Sequence, residues 1–170
     1  MRKSNLPFFL IALFFISFSS AEEQQSAQCP KGVDPASAVG HYLTAMQNHN
    51  FNKAYDFVTD YMTDGMSREN WAGMQKLFYQ GGEVNIYGID VRAAHAVDED
   101  PLCERRAVVP NILRSRDKFN NQGTTEFELY TVVRSEAGTW KVDSQETLFD
   151  ESRIGVWFPG AEVPAFRDAY

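Results

Sequence analysis

The stretch TTEFELYTVVRSEAGTWKVDSQETLF, from Thr124 to Phe149, decides the fold of this chain. It contains two runs in which apolar and polar residues alternate, joined by the turn sequence SEAG at 135–138. Alternate side chains of a strand point to opposite faces, so this pattern predicts a long antiparallel β-hairpin with a glycine in its turn. Each arm then has one apolar and one polar face, and the apolar face needs another element to cover it.

Parity assigns the side chains of the hairpin to its two faces. The apolar face is expected to carry Phe127, Leu129, Thr131, Val133, Trp140, Val142, Ser144, Glu146 and Leu148. The other face is expected to carry Glu126, Glu128, Tyr130, Arg134, Lys141, Asp143, Gln145 and Thr147. Because an apolar face packs against the rest of the chain, the first set is predicted to lie on the concave side of the sheet.

Upstream of the hairpin, apolar residues recur at helical spacing. Asp34 followed by Pro35 is typical of a helix start, and Ser67 is a capping residue that begins a later helix. Between them, the apolar residues of 51–58 predict a second, short helix. The glycine pair at 81–82 ends the last helix.

After the glycine pair the period changes from 3.6 to 2. The segment 84–97 predicts a strand whose phase slips by one at Gly88, which is typical of a β-bulge that bends the sheet. The next strand, over 103–115, is expected to place Ala107, Val109, Asn111 and Leu113 on one face. The segment 150–170 is rich in large apolar residues but has no clear period. It is expected to wrap over the domain without forming an element, with a contact site for a partner, including a second copy of the chain, as the alternative.

Three helices followed by about four antiparallel strands predict an α+β domain. Its N-terminal helices are expected to pack in the concavity of a strongly bent antiparallel sheet. The domain is predicted to span 34–149, preceded by a flexible leader over 22–33 and followed by the apolar tail over 150–170.

Residues 1–21 have the features of a secretory signal peptide. Arg2 and Lys3 precede an apolar run over 6–18, and a small-residue exit ends at Ala21. The run is shorter than the about 20 residues that cross a bilayer, so we expect cleavage after Ala21 and a secreted or periplasmic product. An uncleaved anchor is the alternative.

Charge and cysteine usage agree with an exported chain. The formal net charge is −7 without a basic run, which argues against nucleic acid as a partner. Cys29 and Cys103 both lie in the exported part, where an oxidising compartment favours a disulfide, with two free thiols as the alternative.

His41 and His49 have no carboxylate at ligand spacing, so neither a metal site nor a cofactor is expected.

Three strings carry a resemblance to a known superfamily: NHNFNKAYDFV at 48–58, SRENWAGM at 67–74 and TWKVDSQ at 139–145. With the order of elements, they resemble the opening helices, the next helix cap and the tryptophan-containing last strand of the nuclear transport factor 2-like superfamily. The likeness covers about 34–149 and implies a cone-shaped, cystatin-like fold with a cavity between the concave sheet face and the helices. The superfamily includes isomerases, dehydratases and ligand binders, so the resemblance implies a shape and not one activity.

Polar side chains are predicted to reach this cavity by strand parity: His95, Asn111, Thr131, Ser144 and Glu146. His95 and Glu146 together would suit general acid–base catalysis, because apolar surroundings raise the pKa of a carboxylate. A polar binding role or exposure to solvent at the strand ends is the alternative. The residues expected to contact a ligand are Trp71, Phe78, Tyr87, Asn111, Thr131, Trp140 and Ser144.

No G-x-S-x-G, Walker, Rossmann or H-E-x-x-H string occurs, which argues against hydrolase, kinase and dehydrogenase classes. The leading hypothesis is an exported, non-catalytic domain that binds a small apolar ligand or an envelope protein partner through the cavity or a sheet face. The alternative is a cofactor-independent isomerase or dehydratase that uses His95 and Glu146. A homodimer is possible on either hypothesis, and no stable membrane span is expected after cleavage.

Overall fold

The computed structural model of the chain describes Cys29 and residues 34–99 and 101–162. The elements are α1 (Pro35–Gln47), α2 (Phe51–Ala54), a 3-10 turn (Tyr55–Phe57), α3 (Arg68–Gly82), β1 (Asn85–Val91), β2 (His95–Ala96), β3 (Arg106–Arg116), β4 (Thr124–Arg134), β5 (Trp140–Leu148) and α4 (Glu151–Trp157). The signal peptide predicted for 1–21, the leader apart from Cys29 and the end of the tail beyond 162 lie outside the described residues.

The helices begin where the capping residues predict. The Asp34 side chain accepts a 3.0 Å hydrogen bond from the backbone N–H of Ala36, and Ser67 accepts one of 3.4 Å from the backbone N–H of Asn70. Helix α3 ends at Gly82, followed by Glu83 in a left-handed conformation with φ 54°. The short helix predicted over 51–58 is a single α-helical turn continued by the 3-10 turn.

The sheet is antiparallel, in the order β1-β3-β4-β5, and β2 pairs with the part of β3 beyond β1. The β1–β3 register shifts between Ile86 and Gly88, as the phase of the sequence predicts. Helices α1 to α3 cover one face of this sheet, and a core forms between them around Val39, Val109 and Val142. The α+β class with helices in the concavity of a bent antiparallel sheet is therefore confirmed, and it is the architecture that the resemblance implies.

A second irregularity, which the sequence analysis missed, lies in β5. Thr131 pairs with Ser144 whereas Val132 pairs with Val142, so Asp143 is an extra residue that reverses the parity of the strand. Trp140 and Val142 face the helical core, but Leu148 belongs to a separate apolar cluster on the other face. Ser144 and Glu146 therefore leave the concave face, and their predicted position is wrong.

The predicted concave face of β4 is also wrong. Tyr130 and Val132 pack in the helical core, whereas Phe127 and Leu129 pack on the outer face of the sheet. The physical reason is that β4 has an apolar partner on both sides, so the more apolar of its two faces does not identify the concave side.

The outer partner is α4, a helix where no element was expected. The Asp150 side chain caps it by accepting a 2.9 Å hydrogen bond from the backbone N–H of Arg153. Ile154 and Phe158 are buried in the outer cluster, and the Phe158 ring lies 5.1 Å from the ring of Phe127.

No helix within 34–99 or 101–162 has the length and apolar content of a membrane span.

The predicted disulfide between Cys29 and Cys103 is present, with their Cα atoms 5.6 Å apart. It ties the leader to the connection between β2 and β3. Arg134 of β4 donates a 3.3 Å hydrogen bond to the carbonyl oxygen of Cys103, so the same connection is also held to the sheet. A disulfide is consistent with an oxidising compartment outside the cytosol.

The outer cluster makes a prediction about α4. Replacing Ile154, which is fully buried, by Ala should lower the free energy of unfolding by about 2–4 kcal/mol, because a cavity is left against the sheet. The matched change at Val156, exposed on the same helix, should stay within about 0.5 kcal/mol of the parent. Urea unfolding of the two variants measures both values, and equal effects would show that α4 does not contribute to the stability of the domain.

Candidate functional site

A cavity of about 420 Å³ lies between α1, α3 and the concave face of the sheet. Its apolar wall consists of Leu43, Met46, Met62, Val84, Ile86 and Leu113. Its polar side carries the carboxyl groups of Asp117, Glu126 and Glu128 and the hydroxyl groups of Tyr42, Tyr79 and Tyr130. The volume is within the range typical of pockets for small molecules.

Glu128 is the buried charged group of this cavity, with a side chain that is only 3% exposed. Its Oε2 atom accepts hydrogen bonds from Asn111 Nδ2 at 2.8 Å and from the Tyr130 hydroxyl at 3.0 Å. Its Oε1 atom accepts one from Gln145 Nε2 at 3.1 Å. Because Asn111 and Tyr130 are themselves buried, the carboxyl group is held in one orientation.

Asn111 is oriented by the edge strand. Its Oδ1 atom accepts a 3.2 Å hydrogen bond from the backbone N–H of Asp90 in β1, so its amide nitrogen points to Glu128. Asn111 and Glu128 are direct cross-strand partners in the β3–β4 ladder and therefore share a face. These hydrogen bonds connect three strands, from β1 through β3 to β4.

Burial raises the pKa of Glu128 to about 7. The hydrogen bonds from Asn111, Tyr130 and Gln145 favour the ionised form and oppose this effect, while the nearby carboxylate of Glu126 adds to it. At neutral pH the group is therefore divided between its protonated and ionised forms. Chemically it is able to donate a hydrogen bond, accept one, or exchange a proton.

The tyrosines around Glu128 stay protonated over the ordinary pH range. Burial raises the pKa of Tyr79 to about 12, and it raises the pKa of Tyr42 and of Tyr130 as well. The Tyr130 hydroxyl already donates to Glu128, and the rings of Tyr42 and Tyr130 pack edge to face, 6.2 Å apart. These side chains therefore act as hydrogen-bonding and aromatic walls, not as bases.

The structure does not bring His95 and Glu146 together. His95 is exposed on β2 and contacts the ring of Trp157 in α4, edge to face at 5.2 Å. Glu146 is exposed on β5 and is paired by two bonds, of 2.6 and 3.0 Å, with Arg153 of α4, which lowers its pKa. Strands β3 and β4 lie between the two residues. The predicted dyad in the cavity is therefore wrong.

The other predicted site residues fall into three groups. Asn111 donates a hydrogen bond to Glu128, and Phe78 lines the cavity, so their contact with a ligand stays a prediction. Trp71 and Trp140 are buried in the helical core, and Tyr87 is half exposed with its hydroxyl close to Gly123. Thr131 and Ser144 are paired on the outer face of the sheet, so their predicted position in the cavity is wrong.

Parity reasoning missed Glu128 because it assigned this residue to a solvated face. One signal was present in the sequence: Glu128 lies between Phe127 and Leu129 in the middle of a strand, where acidic residues are uncommon. Neither histidine of the first helical region adds to the site. His41 contacts Phe57, and His49 contacts Phe51 and Tyr79.

Solved structures resemble this chain only distantly. No family model and no curated protein matches it. Matching solved structures include Bd1075 of Bdellovibrio bacteriovorus, at 15% identity and a TM-score of 0.46, over 66% of this chain but only 38% of that one. They also include a ketosteroid isomerase-like protein from Erwinia carotovora, at 19% identity and a TM-score of 0.45, over 65% of this chain and 89% of that one.

A third match is a domain of unknown function with a cystatin-like fold from Nostoc punctiforme. It is 12% identical, with a TM-score of 0.49, and the match covers 69% of this chain and 77% of that one. Likenesses at such low identity say nothing about activity, and they distinguish no subfamily. The chemistry of this chain therefore has to follow from the side chains of its own cavity.

The raised pKa of Glu128 predicts a pH-dependent stability. Its ordinary value is 4.5 and its folded-state value is about 7, so between these values the folded protein keeps a proton that the unfolded chain has lost. Raising the pH through this window therefore destabilises the fold. In Glu128→Gln the amide oxygen still accepts from Asn111 and Tyr130, but the group does not titrate.

The measurement is urea unfolding of the parent and of Glu128→Gln at two pH values. From about pH 5.5 to 8, the free energy of unfolding of the parent should fall relative to the variant by on the order of 2 kcal/mol. Parallel pH profiles would contradict a raised pKa for Glu128.

Proposed function

We propose that this chain binds a small, largely apolar molecule in the cavity between α1, α3 and the sheet, with Glu128 as its polar anchor. The observation that carries the proposal is a buried, oriented carboxyl group that borders a cavity with an apolar wall. Within the described residues, Oε1 of Glu128 accepts a single hydrogen bond, from the exposed Gln145. A ligand group is therefore able to bind this oxygen with little rearrangement.

We place this binding activity outside the cytosol. The Cys29–Cys103 disulfide and the signal-peptide features of 1–21 support export. A protein partner on the outer sheet face has less support, because Ile154 and Phe158 of α4 cover the apolar centre of that face.

A neutral fluorescent probe, N-phenyl-1-naphthylamine, tests the proposal. The purified protein with its disulfide intact should enhance the fluorescence of the probe at saturable, micromolar concentrations. Gln75 is half-buried on α3 and lines the cavity, so Gln75→Trp should fill the cavity and weaken binding at least about tenfold. The Asn70→Trp change adds the same ring at an exposed position of α3 and should leave binding unchanged.

Equal weakening by the two tryptophans, or no saturable binding to the parent protein, would contradict a ligand site in this cavity. The melting temperature of each variant shows whether the fold is retained. A loss of binding is attributed to the cavity only in a variant that unfolds at the same temperature as the parent protein.

A second candidate function is proton transfer within a bound substrate. The pKa of about 7 for Glu128 favours it, because a general base works best when its pKa is close to the operating pH. In this mechanism Glu128 removes a proton from a carbon acid, while Asn111 and Tyr130 hold the carboxylate in place through Oε2. Oε1 is the oxygen that faces the substrate.

Exchange of the α-protons of cyclohexanone in D2O, followed by NMR, tests this candidate. The parent protein should accelerate the exchange, with a rate that rises through about pH 7, and Glu128→Gln should return it to the buffer rate. Glu126→Gln removes a charge that raises the pKa of Glu128, so it should move the midpoint of the profile to lower pH. A parent protein that leaves the buffer rate unchanged would contradict Glu128 as a base for such substrates.

A further inference from the structure

The cavity has an unbalanced charge. Asp117, Glu126 and Glu128 line it, and no Lys, Arg or His is among the described residues that do so. Lys118, the neighbour of Asp117, donates its ammonium group to the carbonyl oxygen of Gly81 and lies over the ring of Phe119. The part of the chain that the structure describes therefore supplies no counter-charge to the carboxylates from within the cavity.

The three carboxyl groups differ in how far the protein satisfies them. Asp117 accepts hydrogen bonds from the backbone N–H groups of Phe119 and Asn120, at 2.7 and 2.9 Å, and stabilises its own loop. Glu126 has weak contacts of 3.3 and 3.5 Å with Thr124 and Ser115 at the rim. Glu128 is the buried one, and within the described residues its Oε1 atom accepts a single hydrogen bond, so this oxygen is able to accept another.

Aromatic rings line the same cavity as this carboxyl group, and the Tyr130 hydroxyl donates to it. Tyr42, Phe78, Tyr79 and Tyr130 line the same cavity, from α1, α3 and β4. The faces of such rings carry partial negative charge and attract cations, most strongly where water is excluded. A cavity with an apolar wall, aromatic rings, a buried carboxyl group and, among the described residues, no basic side chain is suited to a positively charged organic group.

We propose that the ligand of this cavity is an organic cation, an amine or quaternary ammonium group attached to an apolar body, whose positive charge lies against Oε1 of Glu128 and the aromatic rings. This assignment rests on the proposed ligand-binding function and specifies its ligand class. The apolar body lies against the methionine, leucine and valine side chains of the wall. Neutral and anionic molecules supply no positive charge to offset the carboxylates.

The raised pKa of Glu128 couples binding of a cation to the pH. Burial disfavours the ionised form of Glu128, and Glu126 disfavours it further. A bound cation supplies the missing counter-charge, so binding should release a proton from Glu128 and become tighter as the pH rises. The other titratable groups that face it are Tyr42 and Tyr79 from the helices, Tyr130 and Glu126 from β4, and Asp117 from the β3–β4 loop.

An isosteric pair of probes tests the assignment. Phenyltrimethylammonium and tert-butylbenzene have nearly the same shape, but only the first is charged, and its charge does not change with pH. Each compound is titrated against the protein carrying N-phenyl-1-naphthylamine at physiological ionic strength. At about pH 8 the cation should displace the probe at least tenfold more readily than the neutral compound, and between about pH 8 and 6 its affinity should fall about tenfold.

Two variants distinguish the effect of the Glu128 carboxyl group on cation binding from the effect of the protein's net charge. Glu128→Gln should remove both the preference for the cation and its pH dependence, while binding of the neutral compound is retained. Glu136→Gln removes one negative charge from the exposed β4–β5 turn and should leave the preference unchanged. Equal losses in the two variants would overturn the assignment, because the preference would then come from long-range attraction.

The remaining outcomes distinguish the two proposals. If N-phenyl-1-naphthylamine binds the cavity but the neutral compound displaces it as well as the cation does, the organic-cation assignment is overturned and the ligand site stands. If neither compound displaces the bound probe, the assignment is overturned as well. Failure of the probe itself to bind would overturn the proposed function and the assignment together.

Discussion

Strand β4 is buried on both faces, and the rest of the structure depends on this constraint. On the concave side Tyr130 and Val132 pack under α1, and on the outer side Phe127 and Leu129 pack under α4. A strand in this position has to present apolar groups in both directions. Any polar side chain in its middle is withdrawn from water and needs partners within the protein.

Glu128 is the residue that this constraint makes exceptional. Its neighbours satisfy it only in part: Asn111 and Tyr130 donate to one oxygen, and Gln145, an exposed residue within β5, donates to the other. Hydrogen bonds of this kind stabilise a carboxylate, but they do not replace a counter-charge. The combination leaves a carboxyl group that is fixed in position and close to balance between its two protonation states, which is useful for recognition or for proton transfer.

The orientation of the site is set by elements far apart in the chain. Asp90 of β1 orients Asn111 of β3, which in turn orients Glu128 of β4. The β1–β3 register shifts between Ile86 and Gly88, and Ile86 lines the cavity from this edge strand. The bulge in β5 brings Gln145 and Thr147 to the same cavity, because it reverses the face on which they would otherwise lie.

Local patterns of sequence by themselves determined the helix starts at Asp34 and Ser67, the hairpin, the bulge at Gly88 and the α+β class. These features depend on backbone conformation and on side chains a few residues apart, which a local pattern records. The Cys29–Cys103 disulfide was predictable for a different reason, since two cysteines allow a single pairing.

Tertiary structure alone decided which face of β4 is concave, where β5 changes parity and what surrounds Glu128. A single extra residue at Asp143 moves Glu146 to the outer face, and nothing in the alternation of β5 marks that residue as a bulge. The covering of the outer face by α4 likewise arises from contacts between segments distant in sequence. The pKa of Glu128 depends on the removal of water by all of these elements together, so it is a property of the folded protein and not of the strand sequence.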